Sequence, residues 1–173
     1  EVAPGITAVT PLDFTFYPYS HSLVASVLWA SLFAAAYWLL SRPTLRAPAT
    51  LAAVVFSHWL LDVVSHRPDM PITLSNESKV GLGLWHSVPA TLVVEGALFL
   101  TGVYLYVRST QARNRTGSYA FWALLAFLLI VYVANFFSSP PPSGEAVAGA
   151  ALAMWLLVAW GYWVDNNRQP VTD

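Results

Sequence analysis

"ATLAAVVFSHWLLDVVSHRPD", Ala49–Asp69, is apolar over the length of a membrane span, yet it carries His58, Asp62 and His66 at four-residue spacing. A hydrocarbon core about 30 Å thick needs roughly 20 mostly apolar helical residues, and this run supplies them before the Arg67–Pro68 break. Backbone groups in lipid must pair within their own segment, so the run reads as a helix and not as a strand. Three polar side chains inside it then demand a reason.

Elsewhere the chain repeats the apolar part of this pattern without the triplet. Of 173 residues, 57% are hydrophobic and 10% charged, against about a quarter charged in a soluble domain, so most of the surface is expected to face lipid. Spans are expected at 21–41, 49–66, 83–107, 119–137 and 145–164. Arg42–Pro43 closes the first, Pro89 is expected to kink the third, and Pro140–Pro142 stop the fourth. Glu145 opens the fifth, where an acidic residue suits a helix N-terminus. The expected fold is all-α: a polytopic membrane helix bundle of about five transmembrane helices, one domain over 1–173, with 1–20 as an outer N-terminal segment.

Lysine and arginine set the expected orientation. Arg42, Arg46, Arg108, Arg113, Arg115 and Arg168 fall on one side, and only Arg67 and Lys79 on the other. The N-terminus is therefore expected outside and the C-terminus in the cytoplasm. Tyr17, Tyr19, Trp85, Tyr104, Tyr106, Tyr119 and Trp163 lie near the span boundaries, as an aromatic belt would. This topology places His21, His58, His66 and His86 near one face, the outer one, with Asn135 and Glu145 at the outer ends of spans four and five.

Composition also excludes chemistries. There is no cysteine, so disulfides, thiolate nucleophiles and cysteine-ligated zinc or iron–sulfur sites are out. A net charge of -1 without a basic run points away from nucleic acid. The chain opens at Glu1 without a basic, apolar leader, so it is expected either to have lost residues upstream or to begin inside a longer product.

On an α-helix, positions 58, 62 and 66 drift by only ~80° and share a face, with His58 and His66 ~12 Å apart along the axis. Asp62 sits between them, placed to bridge two metals or to join a ligand to its supporting partner. Imidazole with carboxylate suits Zn, Mn or Fe, and a metal pair suits phosphoester hydrolysis. Asp69, beyond the Pro68 break, is placed to fold back toward the cluster, and His21 and His86 would join from neighbouring helices. The alternative is a structural polar network, since intramembrane Asp and His also serve interhelical hydrogen bonds. Glu95, about two and a half turns from His86, reads equally as a buried hydrogen-bonded acid or a proton-relay group. A haem between two histidines is disfavoured because His58 and His66 share one helix. A serine nucleophile is not expected at Ser22, Ser57, Ser65 or Ser87, because adjacency to histidine in sequence gives no hydrogen-bond geometry.

"TPLDFTFYPYSHSL", "SHWLLDVVSHRPDMPI" and "GLGLWHSVPATLVVEG" together resemble the YdjM-like, LexA-regulated family of bacterial inner-membrane metal-dependent hydrolases, over most of the chain. The resemblance implies a divalent metal bound by His21, His58, Asp62 and His66, in the inner membrane. Relative to the family pattern, Phe16 stands where members usually carry a further histidine. His86 replaces an asparagine of a related pattern, and an initial segment with a Gly-His element is unmatched. The expected function is hydrolysis of a lipid-linked or phosphate ester at the outer face, with His86 as a further ligand and Asp69 or Glu95 as general base. The rival reading is an idle accessory subunit of a larger membrane complex, with other membrane subunits as partners; "AVAGAALA" offers the small-residue face it would need. Proton or ion transport comes third, for want of a polar path below Glu95.

Overall fold

Short polar side chains start three of the helices by accepting from backbone N–H groups that the first turn leaves unpaired. Ser22 accepts from Ala25, Asn114 from Gly117 and Ser143 from Ala146. In a computed structural model, which describes residues 1–75 and 77–171, helix makes up 65% of the chain, and the strands among the described residues form two two-stranded ribbons. The protein is all-α, as expected.

Among the described residues, five helical segments are long and apolar enough to cross a membrane: Leu23–Ser41, Arg46–Ser65, Val88–Ser109, Arg115–Asn135 and Gly144–Asn166. Only 6 to 17% of each apolar window is buried within the protein, so their side chains face outward, as lipid solvation requires. It is a multi-pass membrane protein.

Two compact units make up the chain. The first covers residues 5–91 and contains α1 (Pro18–His21), α2 (Leu23–Ser41), α3 (Arg46–Ser65), β1 (Met70–Pro71) and β2 (Lys79–Val80). Helices α2 and α3 pack side by side, with Ala25, Ser26 and Ala30 buried on α2. Beyond α3, the β1–β2 ribbon returns the chain to the helix end. Leu82 N–H donates to the Val63 carbonyl and Gly83 N–H to the His66 carbonyl, both at 2.7 Å. Glycine is required at position 81 because a Cβ there would overlap the Arg67 carbonyl. Gly83 has φ +73, in the left-handed region, and opens a 3-10 turn at Leu84–His86.

The second unit joins residues 1–4 to 92–173. It holds most of α4 (Val88–Ser109), together with β3 (Thr110–Ala112), α5 (Arg115–Asn135), α6 (Gly144–Ala153), α7 (Trp155–Asn166) and β4 (Arg168–Pro170). Ala120, Phe121 and Val164 form its core, and Trp160 Nε1 donates to the Ala120 carbonyl at 3.1 Å. At one end, β3 pairs with β4 and buries Arg168. Its guanidinium lies 4.9 Å from the centre of the Phe121 ring and 5.2 Å from that of Tyr106, and it donates to Thr110 and to the Gly117 carbonyl.

Two expectations need correction. Pro89 does not kink span three: α4 starts at Val88, so Pro89 occupies the first turn, where its missing N–H costs no hydrogen bond. The second span ends at Ser65 and not at His66. His66 has φ -69 and ψ 149, an extended conformation, and Pro68 disfavours helical backbone at Arg67.

Candidate metal centre

His21 closes the short helix α1, and Ser22 breaks the chain before α2. His58 and Asp62 stand one turn apart on α3. These three bring one donor atom each to within 4.8 Å of one another. His58 Nε2 is 3.2 Å from Asp62 Oδ2, and His21 Nε2 is 3.8 Å from the same oxygen. The two imidazoles meet edge-on, with centroids 4.9 Å apart.

Asp62 Oδ2 carries the diagnostic detail. It is shielded from solvent and makes no hydrogen bond of acceptable geometry, despite the short approach of His58. A buried polar atom without a hydrogen bond is costly. Donors held about 2.0–2.1 Å from a tetrahedral ion lie about 3.3 Å from each other. The His58–Asp62 separation matches that spacing, and His21 lies slightly wider. Two imidazoles and one carboxylate form a three-ligand set of the kind that leaves a further position for water or substrate. The residues fit a divalent ion.

The surroundings prepare His21 as a ligand. Ser20 Oγ donates to the Tyr17 carbonyl at 3.3 Å and lies 2.7 Å from His21 Nδ1. In the tautomer with the proton on Nδ1, Ser20 accepts from Nδ1–H and Nε2 is the lone-pair nitrogen of the neutral ring. Burial lowers the His21 pKa, as do His58 and His66, against the opposing pull of Asp62. The neutral ring is the form that binds metal.

His66 lies outside this donor group. Leaving the helix rotates it off the His58–Asp62 face, and its Nδ1 meets Asp69 Oδ1 at 3.0 Å with both side chains buried. Since a carboxylate only accepts, Nδ1 carries the proton of this contact. Phe14 and Trp85 pack against the ring with centroids at 5.0 and 4.6 Å. Asp69, beyond Pro68, meets His66 and not the donor group, and both its oxygens are engaged, because Arg67 Nε donates to Oδ2 at 3.0 Å. Arg67 in turn pairs with Asp13.

Tyr17 links the two clusters. Its ring packs edge-on against His21 at 5.1 Å and stacks on His66 at 6.1 Å, and its hydroxyl lies 3.2 Å from Asp69 Oδ1. Burial, followed by the Asp69 charge and hydrogen bond, raises the Tyr17 pKa, so the phenol stays protonated as a donor. Sequence reasoning placed Tyr17 only in an aromatic belt and gave Asp13 no role. The available signal was the position of Tyr17 one helical turn before His21.

The remaining candidates stand elsewhere. His86 is exposed, with its ring over Gly83, and is not part of the donor group. Glu95 lies on α4 and lines a cavity with Tyr132. No family model, curated protein or solved structure matches this chain.

Proposed function

We propose that this protein is a membrane-embedded, metal-dependent hydrolase of the YdjM-like kind, acting on a lipid-linked or phosphate ester at the outer face of a bacterial inner membrane. The observation that carries the reading is the shielded Asp62 Oδ2 without a hydrogen bond, faced by the Nε2 atoms of His21 and His58. A divalent ion bound there supplies Lewis acidity and lowers the pKa of water. His21, His58 and Asp62 hold it, and Ser20 orients His21.

Proton transfer falls to His66 and not to Asp69. Asp69 fixes the tautomer of His66 and leaves Nε2 able to accept a proton, an orienting role that carboxylates commonly play beside catalytic histidines. Tyr17 keeps Asp69 and the two rings in register. His58, with its side chain 56% exposed, gives the site its open side.

The test is metal analysis of the protein purified in lipid nanodiscs, followed by hydrolysis of a soluble and a lipid-linked phosphoester. Stoichiometric transition metal, lost in His58→Ala and Asp62→Asn, together with metal-dependent turnover supports the reading. Absence of metal in the wild type overturns it. Metal without turnover, in a protein that co-purifies with fixed membrane partners, establishes the accessory-subunit alternative.

A further inference from the structure

Helices α4, α5 and α7 border an open groove in the second unit, about 640 Å³ in volume. Its walls are apolar except for Tyr106, Tyr162 and Asp165, which stand in the last turns of α4 and α7. From Leu98 to Tyr106 the groove follows α4 for about 12 Å. Leu98 lies at the middle of that helix and Tyr106 near its end at Ser109. One leaflet of a bilayer core is about 15 Å deep, so the groove runs the depth of a leaflet, from mid-span to one end. Gly102 and Gly161 keep it wide, because nothing lies within 4 Å of where a Cβ would stand at either.

Depth and charge together select the occupant. Inside a bilayer core without water, apolar walls lose dispersion contacts unless hydrocarbon fills the space between them. At the mouth, the Tyr106 hydroxyl donates to Asp165 Oδ1 at 3.1 Å. That bond fixes the carboxylate and leaves Oδ2 to accept from a ligand. Asp165 is exposed and makes no ion pair among the described residues. Arg168, which stacks on Tyr106, does not neutralise it, because its donors are committed to Thr110 and the Gly117 carbonyl. An apolar slot ending in a carboxylate calls for a hydrocarbon chain with a hydrogen-bonding cation at its head.

We propose that this groove binds one phospholipid with a primary ammonium headgroup, its acyl chain lying along Gly102 and Gly161 and its ammonium donating to Asp165. A glycerol headgroup would leave the lipid's net negative charge beside the carboxylate, and a choline headgroup has no N–H to donate. The groove shares no residue with the histidine–aspartate centre, and the proposal stands or falls independently of the hydrolase reading.

The experiment moves the whole protein into detergent from nanodiscs with equal amounts of ethanolamine, glycerol and choline phospholipids of identical acyl chains. Native mass spectrometry then counts the lipid retained. One ethanolamine phospholipid per chain is expected, favoured about two- to fivefold over each competitor, the size of a solvent-facing ion pair. Asp165→Asn is expected to keep a lipid and lose the preference. Gly102→Leu, whose Cβ enters open space, is expected to expel the lipid whatever its headgroup. No retained lipid in the wild type, equal retention of the three lipids, or an unchanged preference in Asp165→Asn overturns the proposal. A lipid-free dimer broken by Gly102→Leu also overturns it, with a second copy of the chain as the occupant. The wild-type competition decides the matter even where a variant fails to fold.

Discussion

His21 Nε2 lies 3.8 Å from Asp62 Oδ2, although the two residues belong to different helices, α1 and α3. That approach turns a one-helix His–Asp pair into a three-donor set. Asp62→Asn removes the only carboxylate of the set, and His21→Ala removes the only donor from outside α3. Each is expected to abolish stoichiometric metal, read by mass spectrometry of desalted protein. Full metal content in either variant would refute the assigned donors.

Ser20 tests the support of the ligand and not the ligand itself. Its Oγ is 2.7 Å from His21 Nδ1, and loss of such a partner typically lowers metal affinity about 10–100-fold. Ser20→Ala is expected to fall in that range in a competition titration with a chelator. An unchanged affinity would show that Ser20 does not set the His21 tautomer.

The four-residue spacing would put His66 among the ligands, and the geometry sets it apart from them. A ligand would take the metal with it when removed. A proton acceptor would not: His66→Ala is expected to keep the metal and lose about 10²–10⁴-fold in turnover. Parallel loss of metal and activity would return His66 to the ligand set.

The His66–Asp69 pair is also structural. Its side chains are 6% and 8% exposed, and leaving a buried donor without its acceptor costs about 1–3 kcal/mol. Asp69→Ala is expected to lower the stability of the metal-free protein by about that amount, because Arg67 and Tyr17 lose the same partner. A change below about 0.5 kcal/mol, the usual size for an unremarkable surface site, would contradict the network described.

Acid should weaken both fold and metal binding, and His21 sets one part of that window. Its folded-state pKa lies below the ordinary 6.5, so the unfolded chain takes up this proton first as pH falls. Between 6.5 and the lowered value the unfolded state binds more protons, and this contribution to stability declines as pH drops. Metal affinity declines in the same direction, since the ion must displace protons from imidazole. Thermal melting of metal-free His21→Gln is expected to show a shallower slope below about pH 6.5; an identical slope would remove His21 from the account.

Much of this protein is legible in its sequence because lipid leaves a chain few choices. Backbone pairing forces apolar runs of this length into helices, so the five spans and the all-α class follow from hydropathy, with ends shifted by a few residues where caps and prolines act. The His58–Asp62 spacing also carries over directly, because a helix repeats every 3.6 residues. That periodicity misleads at His66, where α3 has already ended. Only tertiary structure decides that His21 meets Asp62, that Asp69 claims His66 through a turn set by Pro68, and that Tyr17 spans both clusters. It also sets Glu95 beside Tyr132 on another helix. Hydropathy and helical period are local properties that one strand of sequence records, whereas the meeting of side chains from separate helices depends on packing that no single segment contains.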